Sequence, residues 1–183
     1  MKKMIIASLA ILSTSAFAAN EMYALGGIGY EVDAEETGVQ FTFGSQILDT
    51  NFYVESTLNY IDSDDGYAYP NGNSQDVDYQ NFKMSLSPMY KHSFNESFAI
   101  YGKIGVAYSN LNSKTKTTID DVTETRNYSN SRWGAAYGFG AEYKSGQPVI
   151  GNSKFIARLG YDWYDFNSGS SEGTLGMQAG LTF

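Results

Sequence analysis

The sequence predicts an all-β chain: an eight-stranded antiparallel up-and-down transmembrane β-barrel. Three observations predict it. Bulky apolar residues recur at every second position over eight stretches, the period of a strand whose two faces meet different surroundings. The apolar stripes carry no charged residue, while the opposite stripes hold Glu55, Lys83, Lys91, Lys103, Arg132, Glu142, Lys144, Arg158 and Asp162. The connections alternate between short and long, and eight is an even number, as closure with both termini at one rim requires.

In chain order, 21–30 carries Met22, Ala24, Gly26, Ile28 and Tyr30 on its apolar face, and 38–47 carries Val39, Phe41, Phe43, Ser45 and Ile47. The third, 51–61, shows Phe52, Val54, Ser56, Leu58 and Tyr60. The fourth, 80–91, shows Phe82, Met84, Leu86, Pro88 and Tyr90, and its proline predicts a lost ladder bond or a bulge. Then come 97–109 with Phe98, Ile100, Ile104, Val106 and Tyr108, and 131–144 with Trp133, Ala135, Tyr137, Phe139 and Tyr143. The last two, 154–164 and 174–183, present Phe155, Leu159, Tyr161 and Trp163, then Leu175, Met177, Leu181 and the terminal Phe183.

Which face looks outward follows from size. Many small residues lie on the polar face, among them Gly27, Gly29, Gly44, Gly138, Gly140, Gly160 and Gly176, too many for a water-facing exterior. The apolar face is therefore expected to meet lipid. A strand crosses hydrocarbon with about 9 to 11 residues, and a closed sheet leaves no backbone group unpaired. Aromatics gather at the stripe ends: Tyr30, Tyr60, Tyr108, Trp133 and Trp163 at one, Phe52, Tyr90, Phe98, Tyr143, Phe155 and Phe183 at the other. Rings with an apolar body and a polar tip suit a headgroup boundary, so two girdles are expected.

Residues 1–18 read as a secretory signal, with Lys2 and Lys3, an apolar run to Leu12, and Ala16 and Ala18 before the cut; 19–183 is then one barrel domain. Removal of the signal leaves 10 Lys and Arg against 20 Asp and Glu, a net charge of about −10. So acidic a chain is a poor partner for nucleic acid. It has no cysteine, which excludes disulfides and thiolate metal sites, and no cofactor is expected.

Short connections at 48–50, 92–96 and 145–153 and long ones at 31–37, 62–79, 110–130 and 165–173 match the outer-membrane pattern. They place the long loops outside the cell and the termini in the periplasm, with 145–153 longer than such a turn should be.

With strands and faces assigned, the chain resembles the OmpA/OmpX-type barrels over its mature length. The closest stretches are Met22-Tyr-Ala-Leu-Gly-Gly-Ile-Gly-Tyr30, Phe98-Ala-Ile-Tyr-Gly-Lys-Ile-Gly105, Gly140-Ala-Glu-Tyr143 and Ile156-Ala-Arg-Leu-Gly-Tyr-Asp-Trp163. The chain stops at Phe183, so no peptidoglycan-binding domain is carried over. The resemblance implies a bacterial outer-membrane protein, contacts with lipid and lipopolysaccharide, assembly through a C-terminal strand ending on an aromatic, and a monomer.

Four functional readings stand beside one another. Glu55, Lys83, Lys103, Glu142 and Arg158 form an expected interior charge cluster, with Arg158 able to reach either carboxylate. They either neutralise one another in a closed lumen or, as the resemblance implies, rearrange to pass ions as a low-conductance channel. Enzymes of this fold class use a histidine near the outer rim, but the single histidine, His92, falls in a turn of the opposite rim, so no enzymatic activity is expected. The acidic segment 62–78, with Asp62, Asp64, Asp65, Asp76 and Asp78, misses the calcium-loop spacing and reads as solvated or as a weak divalent-cation site. The threonine-rich segment 110–130 is expected to extend its flanking strands as a hairpin offering an edge to an external surface ligand, the adhesin-like role the resemblance also implies.

Overall fold

The computed structural model describes residues 21–69, 73–119, 122–167 and 169–183. The expected signal lies outside the described residues. Eight strands, β1 (Met22–Glu31), β2 (Glu36–Gln46), β3 (Phe52–Ala68), β4 (Ser74–Ser93), β5 (Phe98–Ile119), β6 (Val122–Ile150), β7 (Ser153–Phe166) and β8 (Ser170–Thr182), pair antiparallel in chain order and close on themselves. Phe183 seals the closure: its N–H donates to the Met22 carbonyl at 2.8 Å, and its own carbonyl accepts from Met22 N–H at 2.9 Å.

The outward stripes are the expected ones. Phe139 is 66% exposed, Met177 59% and Leu159 55%, a density of bare apolar surface that water would not tolerate. Neighbouring aromatics pair across strands near the strand ends, with ring centroids 5.2 Å apart for Phe52 and Tyr90, 5.3 Å for Phe98 and Tyr143, and 5.1 Å for Tyr108 and Trp133.

Three expectations are corrected, and at Pro88 one of two alternatives holds. The inner face is not merely small: Tyr23, Tyr53, Tyr101, Tyr164 and Phe166 are buried in it, and the inward glycines make room for them. A Cβ on Gly44 would stand 2.0 Å from the Tyr23 ring, so residue 44 has to be glycine for that ring to lie down. Pro88 sits at no bulge. The β4–β5 pairing simply lapses at Ser87 and Pro88 and resumes in unchanged register at Met89↔Lys103, which confines the missing N–H to one gap. The segment 145–153 is a continuation of β6 with two register shifts, turning at Gly151, whose φ of +57° favours glycine.

The largest correction concerns the long connections. Segments 62–79 and 110–130 are strand rather than loop at nearly all described positions. β3 pairs with β4 up to Ala68↔Ser74, and β5 with β6 up to Ile119↔Val122, whereas β2–β3 pairing ends at Val39↔Tyr60 and β6–β7 pairing begins at Gly134↔Phe166. A four-stranded sheet made of β3 to β6 thus stands beyond the rim opposite the termini. For 110–130 the cause is local, because it is dense in Thr with Ile119, Val122 and Tyr128, which favour extended backbone; 62–79 holds five aspartates and no Thr or Ile, and its β4 half is paired along β5.

Candidate functional site

The lumen is filled by charge in two layers. Nearer the termini, the Arg158 guanidinium lies between two carboxylates. Its Nε donates to Glu142 Oε2 at 2.7 Å and its Nη1 pairs with Glu55 Oε2. Glu55 also receives Lys103 at 2.7 Å and the Tyr23 hydroxyl at 2.7 Å. Lys103 continues to Asp162 at 3.0 Å, and Lys91 joins Glu142 at 2.8 Å to Glu21 at 3.5 Å. Lys144 closes the chain of pairs on Glu21 at 2.7 Å. Arg158 is sandwiched by aromatic faces as well, 4.1 Å from the Tyr23 centroid and 4.9 Å from that of Tyr101. This layer holds four acids, Glu21, Glu55, Glu142 and Asp162, and four bases, Lys91, Lys103, Lys144 and Arg158, so it is neutral as a whole.

The second layer lies toward the protruding sheet. Lys83, fully buried, pairs with Glu31 at 2.9 Å and Glu172 at 3.3 Å, and Arg132 pairs with Glu172 while its guanidinium lies 4.5 Å from the Phe166 ring centroid. Two acids face two bases, so this layer too is neutral. Between the layers, Asn59 Nδ2 donates to the Tyr164 hydroxyl at 3.0 Å.

Of the five expected cluster residues, Glu55, Lys103, Glu142 and Arg158 meet in the first layer, and Lys83 lies apart in the second. Sequence reasoning left the acids Glu21, Glu31, Glu172 and Asp162 and the bases Lys91, Lys144 and Arg132 out of the cluster. Glu31 and Glu172 fell in expected loops, although the inward period runs on from Gly29 to Glu31 and from Thr174 to Glu172. Glu21 precedes β1. Burial alone would raise its carboxyl, but the Lys144 hydrogen bond and the nearby Lys91 charge bring it below the usual carboxylate range.

His92 is exposed at the terminus-side rim, edge-on to Phe94 at 5.2 Å. In the acidic segment Asp64 stands directly opposite Asp78, and β5 sets Lys114 against Asp78 and Lys116 against Asp76. Among the described residues no group of three or more His, Cys, Asp or Glu is arranged to hold a metal ion.

On the protruding sheet β6 is paired with β5 over 122–132, but among the described residues no strand lies on its other side there. The direction of its backbone groups there can be fixed. Trp133 O accepts from Asn167 N–H on the β7 side, and Lys144 N–H donates to Ser97 O on the β5 side. The β5–β6 register is unbroken from Phe98↔Tyr143 to Ile119↔Val122, so odd-numbered residues of β6 point their N–H and C=O away from β5. Thr123, Thr125, Asn127, Ser129 and Ser131 accordingly face the open edge.

A closed barrel with an uncharged apolar exterior and a polar, charge-filled lumen defines a transmembrane β-barrel. The chain belongs to the outer membrane protein beta-barrel domain family, whose model matches residues 4–183, and its barrel closes with eight strands. That membership indicates the bacterial outer membrane.

Solved structures share the fold. Ail of Yersinia pestis, in complex with the heparin analogue sucrose octasulfate, is 16% identical with a TM-score of 0.57, covering 89% of this chain and 98% of its own. A major outer membrane protein of Thermus thermophilus is 17% identical with a TM-score of 0.61, over 89% and 98%. OprG of Pseudomonas aeruginosa is 14% identical with a TM-score of 0.59, over 91% and 97%. No curated protein sequence matches the chain.

Proposed function

We propose that the protein is a surface-interaction barrel: its termini face the periplasm, its two rings of aromatics mark the membrane boundaries, and the β3–β6 sheet stands outside the cell. The observation that carries this reading is the unpaired edge at 122–132, about 35 Å of extended backbone with donors and acceptors turned outward. Such an edge binds by adding a strand, main chain to main chain. The opposite edge, β3 over 61–68, is blunted by Asp62, Asp64 and Asp65, as edges that must not pair usually are.

The chemistry of the sheet favours a protein strand over a sulfated glycan of the kind bound to Ail. Aspartates and Glu124 outnumber Lys114, Lys116 and Arg126 on it, so a polyanion meets net repulsion. The test is adherence of intact cells to surfaces coated with extracellular-matrix protein or with heparin. Wild type should adhere to the protein surface only. Thr125→Pro should lose that adherence, because the removed N–H faces the edge and not β5; undiminished adherence of the variant refutes the reading.

A second reading, low-conductance ion passage, draws on one observation. Each carboxylate that Arg158 holds has a lysine of its own, Lys103 on Glu55 and Lys91 on Glu142, so the guanidinium can release either without stranding it. Single-channel recordings in planar bilayers test it: conductance should change with Arg158→Met, and silence in both proteins ends the channel reading.

A further inference from the structure

The open edge of β6 is complementary to itself. We infer that its occupant is the same edge of a second copy of this chain, reaching from an apposed membrane, so that the protein joins cell to cell by homotypic strand pairing. This rests on the proposed surface-interaction role and names the partner.

Geometry restricts the pairing sharply. Because only odd residues turn their backbone groups outward, two copies of the edge can bond only with odd opposite odd. Centring an antiparallel pair on Thr125 meets that condition: Thr125 faces its own copy, Thr123 faces Asn127, and each of these pairs exchanges two backbone hydrogen bonds. The even residues then fall in the pairs whose side chains approach most closely. Glu124 stands opposite Arg126 and Arg126 opposite Glu124, while Val122 stands opposite Tyr128 at both ends.

All four side chains are ready for this. Glu124 and Arg126 are 70% and 85% exposed and 3.5 Å apart within one chain, a weak contact that each can give up for a partner directly across. Val122 is 65% exposed and Tyr128 57%, and the pairing covers each with the other. A slip of two residues, to either neighbouring symmetric register, sets Glu124 against Glu124 or Arg126 against Arg126. Like charges directly opposite repel, so the register is selected.

The same symmetry fixes the setting. Antiparallel strands are related by a two-fold axis perpendicular to the strand, which points the two barrels in opposite directions. Copies in one membrane share their direction across it and cannot form this pair. Only copies in facing membranes can.

The test uses the full mature chain reconstituted into two vesicle populations carrying different lipid dyes, with insertion checked by gel mobility. Wild-type vesicles should cluster across populations. Vesicles bearing only Glu124→Arg, or only Arg126→Glu, should cluster no more than protein-free vesicles, since each sets like charges opposite one another twice. Mixing the two variants sets a basic side chain opposite an acidic one at both contacts and should restore wild-type clustering. Failure of that rescue overturns homotypic pairing, and so does absence of clustering in the wild type. If Thr125→Pro still abolishes adherence to protein-coated surfaces in either case, the edge remains a docking strand for another partner. If Thr125→Pro changes neither clustering nor adherence, both the pairing and the surface-interaction role are wrong.

Discussion

Replacing Arg158 by methionine removes one positive charge from a balanced layer and keeps most of the side chain's bulk. Four acids would then face three bases in a lumen where Glu55 is 2% and Glu142 3% exposed. The sequence alone suggests stranded carboxylates, but the structure leaves Lys103 on Glu55 and Lys91 on Glu142, each within 2.8 Å. Two charged hydrogen-bonding contacts, one to each carboxylate, are lost, worth about 1.5 to 3 kcal/mol each before relaxation. Breaking a buried pair outright costs about 3 to 5 kcal/mol. The two routes agree, so Arg158→Met should lose about 3 to 5 kcal/mol in urea unfolding from lipid vesicles, followed by the fluorescence of Trp133 and Trp163. Adding Glu142→Gln returns the layer to three acids and three bases and should recover about 1 to 3 kcal/mol, the usual coupling between neighbours. A loss under about 1 kcal/mol, or a double variant as unstable as the two single losses summed, would refute the charge-balance argument.

Two further perturbations test the faces and the seam. Phe139→Arg, on the most exposed part of the outer stripe, should lose about 2 to 4 kcal/mol, whereas Ala136→Ser on the buried inner face should change stability little; equal small losses in urea would point to a water-facing exterior. Deleting Phe183 removes both backbone bonds with Met22 and an outward ring, so the fraction of heat-modifiable, membrane-inserted protein on gels should fall sharply, and normal insertion would show that the terminal aromatic is dispensable.

The barrel was legible in the sequence because its signal is strictly periodic: lipid on one side and a narrow lumen on the other force alternation at every strand. Strand lengths were less legible. Beyond the membrane both faces meet water, alternation fades, and Asp62 to Gly66 or Asn110 to Ser113 look like loop although they are paired. The charge cluster was half legible for the same reason. Glu55, Lys103, Glu142 and Arg158 lie where alternation is clean, while Glu31 and Glu172 lie at its end. That Lys83 belongs to a separate layer depends on strand stagger around the barrel, which no single strand reveals.

Which rim carries the sheet into the surroundings decides the functional account, and the cysteine-free sequence makes it measurable. Single cysteines at Asn127, on the protruding sheet, and at Gln147, in the terminus-side extension of β6, should be offered to a membrane-impermeant maleimide on intact cells. Asn127→Cys should be labelled at once and Gln147→Cys only after the outer membrane is opened. Labelling of Gln147→Cys on intact cells, with Asn127→Cys protected, would contradict the account by placing the sheet in the periplasm.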